Sequence, residues 1–324
     1  MANRITEGSL RGPLRGIVPP LVTPLTPDEQ LDRDALERLI ENVIAGGVHG
    51  LFVLGTTGEG PSLSYSVRGA MIGASCQIAA GRVPVLVGVT DTSLAEAIDM
   101  SLVAAEAGAD AVVFAPPCYF PIDQDDLASA VRRLAAESPL PVMLYNMPAL
   151  TKTIIEPETV RQLADEPTVI GLKDSSGDLA YFRRMREVMR QRSDWSLMAG
   201  PEHLLAETVA IGGDGGVCGG ANVFPQLFVR LFEACASGDD AASQALCHRV
   251  DRLGDLYRLG ANPALSVIQG IKAALAERGV CAATLCSPFS PLCNGEVEVV
   301  RSILRDVEAA EDLTSNVSST PAPV

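Results

Sequence analysis

The chain of 324 residues is 47% apolar, enough for one large α/β core or two smaller ones, which excludes disorder of its main body. Its formal charge of −15 argues against nucleic acid and anionic membrane as partners, because both attract basic patches. No stretch approaches the roughly 18 uninterrupted apolar residues of a bilayer span, and the polar start, residues 1–8, has no apolar leader core, so a cytoplasmic protein is expected.

Along the chain, the first strand-like run falls near 16–22. A helix-period segment follows at Asp34–Ala45, with Leu36, Leu39, Ile40 and Val43 on one face. Strand-like runs near 50–54, 84–89 and 110–115 come next, the last two flanking a helix over Ser93–Ala107 that opens on a capping box, Ser93 with Glu96. Further runs near 141–146, 168–173, 196–199 and 215–219 bring the number of strands to eight. Three junctions repeat one pattern, at Gly46-Gly47, Gly108 and Gly212-Gly213: glycine suits the left-handed residue that ends a helix, and the β-branched run after it suits a strand buried on both faces. Helix capping is the preferred reading of Gly212–Gly216 over a phosphate cradle.

Strands alternating with helices predict an α/β fold, a (β/α)8 TIM barrel over residues 1–225. A doubly wound open sheet is the alternative, although no Gly-x-Gly-x-x-Gly follows the first strand. Residues 226–310 read as helices only, at Gln226–Ser237, Asp240–Leu259, Pro263–Arg278 and Gly295–Ala309, which predicts a C-terminal helical extension packed on the barrel. Residues 311–324, rich in Ser, Thr and Pro, read as a disordered tail. The eight cysteines are scattered as reduced, mostly buried thiols would be; Cys281, Cys286 and Cys293 have no Cys-x-x-Cys or His partner, and His49, His203 and His248 lack ligand-like spacing, so no metal site is expected.

Barrel chemistry belongs at the C-terminal ends of the strands. There the sequence places Gly55-Thr56-Thr57-Gly58-Glu59, Cys118-Tyr119, Tyr145-Asn146-Met147-Pro148, Lys173-Asp174-Ser175 and Gly200-Pro201-Glu202-His203. Lys173 stands out because the chain has only three lysines, Lys152, Lys173 and Lys272, against twenty-two arginines. An amine can lose its proton and attack a carbonyl, which a guanidinium cannot, and burial among Val169, Ile170 and Leu172 penalises the ammonium. Asp174, the next residue in the strand, points to the opposite face. Tyr145 ends the preceding strand, where parallel register sets its phenol near Lys173 as a proton relay. The two hydroxyls and glycine backbone of the Thr56-Thr57 loop suit a carboxylate.

Gly-Thr-Thr-Gly-Glu, Tyr-Asn-x-Pro and Gly-x-Lys-Asp, in this order on these strands, resemble the dihydrodipicolinate synthase and N-acetylneuraminate lyase superfamily of Schiff-base aldolases, over most of residues 12–300. The resemblance implies an imine between Lys173 and a 2-oxo acid such as pyruvate, with no cofactor beyond that covalent bond, in a homo-oligomer, dimer or tetramer. It further implies a hydrogen-bonded trio of Tyr145, Thr56 and Tyr119, the last reaching across a subunit interface; carboxylate binding by Thr56 and Thr57; Ser175, Gly200 and Val217 as pocket lining; and Glu59 as a structural acid beneath the loop.

One departure matters. In dihydrodipicolinate synthases the Tyr-Asn-x-Pro segment runs on to an arginine that holds the second substrate's carboxylate, whereas this chain has Leu150, with Lys152 two residues on, where an extended segment would face it to the same side but displaced along the chain. Strand seven carries Glu202 and His203 where sialic acid lyases hold the sugar's tail, and Pro117-Cys118-Tyr119 is similar to the 4-hydroxy-2-oxoglutarate aldolase branch, which also lacks the arginine. The expectation is a retro-aldol lyase of a hydroxylated 2-oxo acid, ahead of a 2-oxo acid dehydratase or deaminase and of 4-hydroxy-tetrahydrodipicolinate synthase; a non-catalytic metabolite-binding barrel is the alternative outside enzymes.

Overall fold

The computed structural model describes residue 10 and residues 12–317. Eight strands form one parallel sheet: β1 (Gly16–Ile17), β2 (Leu51–Val53), β3 (Val85–Gly88), β4 (Ala111–Phe114), β5 (Val142–Asn146), β6 (Val169–Asp174), β7 (Ser196–Ala199) and β8 (Gly215–Gly216). Each pairs with the strand next in sequence from β2 to β8, and β8 pairs with β1. The ring closes through the backbone after β1, where the Phe52 N–H donates to Pro19 O at 3.0 Å and the Leu21 N–H to Phe52 O at 2.8 Å. Closure removes the sheet edges, so the open doubly wound alternative does not hold.

The helices between them are α1 (Arg33–Ala45), α2 (Tyr65–Ala79), α3 (Leu94–Glu106), α4 (Gln124–Glu137), α5 (Pro148–Thr151), α6 (Pro157–Gln162), α7 (Leu179–Met189) and α8 (Leu205–Ala210). Asp32 caps α1 and the expected apolar stripe, joined by Ala35, is its buried face. The capping box of α3 is only half made. Ser93 Oγ accepts the Glu96 N–H at 3.4 Å, but the Ser93 N–H donates to Asp91 Oδ1 at 3.1 Å, which takes the donor that the Glu96 side chain would hold in a full box. The three repeated junctions are left-handed glycines, with φ of 83° at Gly47, 86° at Gly108 and 99° at Gly212, so the capping reading of Gly212 is the right one.

The extension holds α9 (Pro225–Ser237), α10 (Asp240–Gly254), α11 (Ser266–Glu277) and α12 (Asn294–Val317). Its boundary lies later than expected at 226, because α9 packs against α8 and β1 and supplies the eighth barrel helix; the added helices begin with α10. The segment read as a tail from 311 is helical to Val317, continuing a run of good helix formers, Glu308 to Glu311; the rest, 318–324, lies outside the described residues.

Two apolar layers result. An inner one, with Phe52, Leu86, Val113, Met143 and Met198, fills the barrel, while a larger one fills the space between strands and helices. Among the described residues no helix is long and apolar enough to cross a membrane.

Candidate active site

The β5–β6 pairing sets the geometry of the site. Val142 pairs with Val169 but Met143 pairs with Gly171, so Ile170 is an extra residue in β6, and the shift puts Tyr145 opposite Lys173 and Asn146 opposite Asp174. Without this bulge, alternation would carry Leu172 to Tyr145 and turn Lys173 toward the helices. Gly171 makes the bulge possible. Its φ is 147°, and a Cβ there would lie 2.1 Å from Ser196 O on β7.

Lys173 is therefore an inward residue, 4% exposed. Its Nζ lies 3.9 Å from the centre of the Tyr145 ring and 4.9 Å from that of Phe52. Asp174 points outward, as alternation requires, and accepts hydrogen bonds from Asn146 Nδ2 at 2.8 Å, the Ser176 N–H at 3.0 Å and Ser176 Oγ at 2.9 Å. Burial pushes the Asp174 carboxyl above its ordinary value, against those bonds. The outward pair fixes the end of β6, since Asn146 Oδ1 also accepts the Ile155 N–H at 3.0 Å. Lys173 is left with the phenol and the cleft.

The Tyr145 hydroxyl stands 3.4 Å from Thr56 Oγ1. Burial pushes this phenol up, but the charge of Lys173 and hydrogen bonding from Thr56, Ser175 and Lys173 outweigh it, and the net direction is below the ordinary tyrosine value. Such a phenol gives up a proton more readily than a free one.

The Thr56 loop is held from beneath. Glu59, at φ 57°, sends its carboxylate into the protein, where Oε1 pairs with Lys272 Nζ at 2.5 Å and Oε2 accepts the Cys286 N–H at 2.8 Å. Lys272 is 0% exposed and donates to Thr284 O at 2.6 Å, so the second of the three lysines joins the extension to the loop. Replacing Lys272 by Met leaves a buried carboxylate without its cation, and we expect a loss of about 3 kcal/mol in urea unfolding. A loss under about 1 kcal/mol would show that the pair is not what holds the loop.

The strand ends and loops enclose a cleft of about 540 Å³. Ten of the expected residues line it: Thr56, Thr57, Tyr145, Leu150, Lys173, Ser175, Gly200, Glu202, His203 and Val217. Gly200 donates its N–H to Asp174 O at 2.7 Å, and a side chain there would displace the Ser175 hydroxyl, because a Cβ would lie 2.0 Å from Ser175 Oγ. Val217 donates to Ala199 O at 2.7 Å, fixing the β8 side of the opening.

Tyr119 is the exception. It is 77% exposed and meets Phe120 edge-on at 5.1 Å, so one chain does not complete the expected trio with Tyr145 and Thr56; the loop after β4 carries its aromatic pair outward instead. Lys152 also differs from its expected direction. The residues after Asn146 form the short helix α5 instead of an extended run, and Lys152 ends it at φ 60° with Nζ donating to Ala149 O at 2.7 Å.

Glu202 is buried, with Oε1 accepting from the Tyr257 hydroxyl at 2.6 Å and Oε2 from the Gly220 N–H at 2.9 Å. Burial pushes its carboxyl up to about 7. The folded state thus keeps a proton that the unfolded chain releases above its ordinary value of 4.5, so the Glu202 share of stability falls as pH rises between about 4.5 and 7. Glu202→Gln should flatten that part of the stability profile, measured by thermal unfolding against pH; an unchanged slope would mean another group causes it.

Sequence reasoning missed Tyr257, Pro263, Ala264, Val267 and Ile268, which bring the extension over the opening. Their only signal was the surplus of helix after the eighth strand. An adjoining space of about 400 Å³ lies beyond Tyr145 and Leu150, under Phe289. Among the described residues no group of three or more His, Cys, Asp or Glu side chains is placed to hold a metal ion.

A closed (β/α)8 barrel with a buried lysine facing a phenol at its C-terminal mouth defines a TIM-barrel enzyme, a lyase by its relatives. The chain belongs to the dihydrodipicolinate synthetase family, whose sequence profile matches residues 13–307. It is 35% identical to an uncharacterized DapA-like lyase of Halobacterium salinarum over 91% of this chain and 94% of that one. It is 31% identical to the 4-hydroxy-tetrahydrodipicolinate synthase of Methanoculleus marisnigri, covering 89% and 98%. The dihydrodipicolinate synthase structure from Bacteroides thetaiotaomicron superposes with a TM-score of 0.88 at 44% identity, covering 91% and 99%. YagE of Escherichia coli K12, solved in complex with pyruvate, superposes with a TM-score of 0.86 at 32% identity, covering 91% and 98%.

Proposed function

We propose that the chain is a Schiff-base lyase that cleaves, or in reverse forms, a hydroxylated 2-oxo acid with pyruvate as the common half. The observation that carries this reading is the Lys173 amine, buried and 3.9 Å from the Tyr145 ring, with no carboxylate paired to it among the described residues and an open cleft in front of it. The substrate carboxylate rests on Thr56 and Thr57, and the Lys173 nitrogen adds to the carbonyl carbon, which loses water as the iminium forms.

The bond between carbons 3 and 4 then breaks. Its electron pair enters the iminium to give an enamine, the hydroxyl on carbon 4 passes its proton to Tyr145, and an aldehyde leaves. The enamine regains a proton at carbon 3, and water releases pyruvate and the amine. The electron sink is the iminium itself, so the reaction as proposed needs no metal and no cofactor. Pyruvate bound in the YagE structure supports the ligand class. Tyr145→Phe keeps the ring beside Lys173 but removes the relay, and kcat should fall by about 10²–10³-fold while the imine still forms. A kcat within a factor of a few of the parent would remove Tyr145 from the mechanism.

Dehydration or deamination of a 2-oxo acid uses the same iminium and is the second reading. Condensation of pyruvate with aspartate semialdehyde ranks third, because Leu150 offers no donor and Lys152 turns its amine to Ala149 O. Borohydride reduction with pyruvate, followed by mass analysis of the peptide carrying Lys173, tests the imine, and a set of 2-oxo acids assayed for pyruvate release separates lyase from synthase. We further propose a cytoplasmic homo-oligomer, dimer or tetramer, in which the exposed Tyr119 meets a neighbouring chain; light scattering of the wild type and of Tyr119→Asp tests it.

A further inference from the structure

Glu202, in the loop after β7, is bonded to two other segments of the chain. Its Oε1 accepts the Tyr257 hydroxyl at 2.6 Å and its Oε2 the Gly220 N–H at 2.9 Å, and the backbone of Gly219 adds a further hydrogen bond. The side chain is buried, so its carboxyl serves these donors before any ligand. Losing one partner would leave a buried polar group unpaired, which gives each bond its weight.

The first segment is the turn after β8, Gly219–Asn222. Its far end is tied to the start of the barrel, where Asn222 Nδ2 donates to Pro20 O at 2.9 Å and Asn222 Oδ1 accepts the Val22 N–H at 3.1 Å. Its near end is the one Glu202 holds, and just before it Val217 packs in the inner layer with Tyr145 and lines the cleft. The second segment is the extension, where Tyr257 leads into the stretch that carries Pro263, Ala264, Val267 and Ile268 to the opening. Turn and extension are in close contact at Gly219, where a Cβ would lie 2.9 Å from Ile271 Cδ1 and 3.6 Å from the Tyr257 hydroxyl.

Resting on the lyase reading above, we propose that Glu202 and Tyr257 are positioning residues: one carboxyl clasps the extension and the turn after β8 to the loop after β7, and so holds the cleft closed around the pyruvate half of the substrate, beside Lys173 and Tyr145. A clasp is a single link, so breaking it from either side does the same damage. It also acts on pyruvate itself, which has no further carbons for Glu202 or Tyr257 to contact.

Pyruvate is therefore the probe, with the full chain in deuterated water. Once the iminium has formed, carbon 3 loses a proton, the C–H electron pair moves toward the iminium nitrogen to give the enamine, and a deuteron returns to carbon 3. NMR reads kcat and KM of this exchange, and borohydride trapping on Lys173 checks the imine in the parent and in each variant. Tyr257→Phe and Glu202→Ala should each raise KM about tenfold while kcat stays within about threefold of the parent, and the double variant should be no worse than the worse single one. Glu202→Gln, whose amide still bonds to Tyr257 and the backbone, should recover most of the lost affinity. A pyruvate KM within about twofold of the parent in Tyr257→Phe, or single effects that multiply in the double variant, overturns the clasp and leaves the imine reading intact. Absence of both trapping and exchange in the parent overturns both. Should Glu202→Ala fail to fold, Tyr257→Phe and Glu202→Gln carry the comparison: a raised KM in the first with a KM near the parent's in the second supports the clasp, and any other pairing overturns it.

Discussion

Lys173→Ala should abolish covalent capture of pyruvate and lower turnover by about 10⁴-fold or more, because the nucleophile and the electron sink are one atom. The same variant should keep or raise its unfolding temperature. In the folded chain the amine is 4% exposed, and burial of an ammonium without an ion pair opposes folding, only partly offset by the faces of Tyr145 and Phe52. Lost activity with retained stability is the signature of a residue kept for chemistry. Borohydride trapping, pyruvate-release kinetics and calorimetry on one preparation read all three quantities. Lys152 and Lys272 are the other side-chain amines, and one caps α5 while the other is shut in with Glu59, so a mass increment on either peptide would refute the assignment.

Gly171→Ala should cost about 4 kcal/mol or more in urea unfolding, and any folded fraction should lose at least about 100-fold in kcat. Two effects add. The φ of 147° is a conformation that residues with a Cβ rarely adopt, and the new methyl would lie 2.1 Å from Ser196 O and 2.7 Å from its N. Neither atom can yield without parting β6 from β7, which pair at that point, Gly171 with Ser196. The relief open to the chain is to lose the bulge, and that slides Tyr145 away from Lys173 by one residue. Activity lost without any change in stability would mean the bulge can be reorganised at no cost, and would sink this account of the register.

The fold was largely legible because its signals are local. Alternation of short buried strands with helix-period segments, and glycines at three helix ends, specify βα units, and eight of them close a ring. What misled was the assignment of long-range neighbours. Nothing in Gln226–Ser237 says whether the helix belongs to the ring or to the extension; its packing on α8 and β1 decides that.

The site shows the same division. Lys173, Tyr145, Thr56 and Glu202 were legible because barrel strands deliver their last residues to one mouth, so position along the strand implies position in the cleft. Tyr119 was expected to join the trio only across a subunit interface, which a single chain does not contain; there it is 77% exposed. Lys152 was read along an extended segment, and the turn of α5 sent its amine back to Ala149 O. Tyr257 and the residues of the extension were not legible, because a contact between residues 202 and 257 leaves no periodic trace in either segment.

By itself, the sequence determined which groups are candidates for chemistry: a scarce lysine at a strand end, a tyrosine on the strand before it and a threonine loop after the second strand. Only the tertiary structure decided that these meet. The inserted Ile170, permitted by glycine at 171, shifts β6 by one residue against β5, and since successive side chains of a strand point to opposite faces, that single step separates a lysine inside the barrel from one outside it.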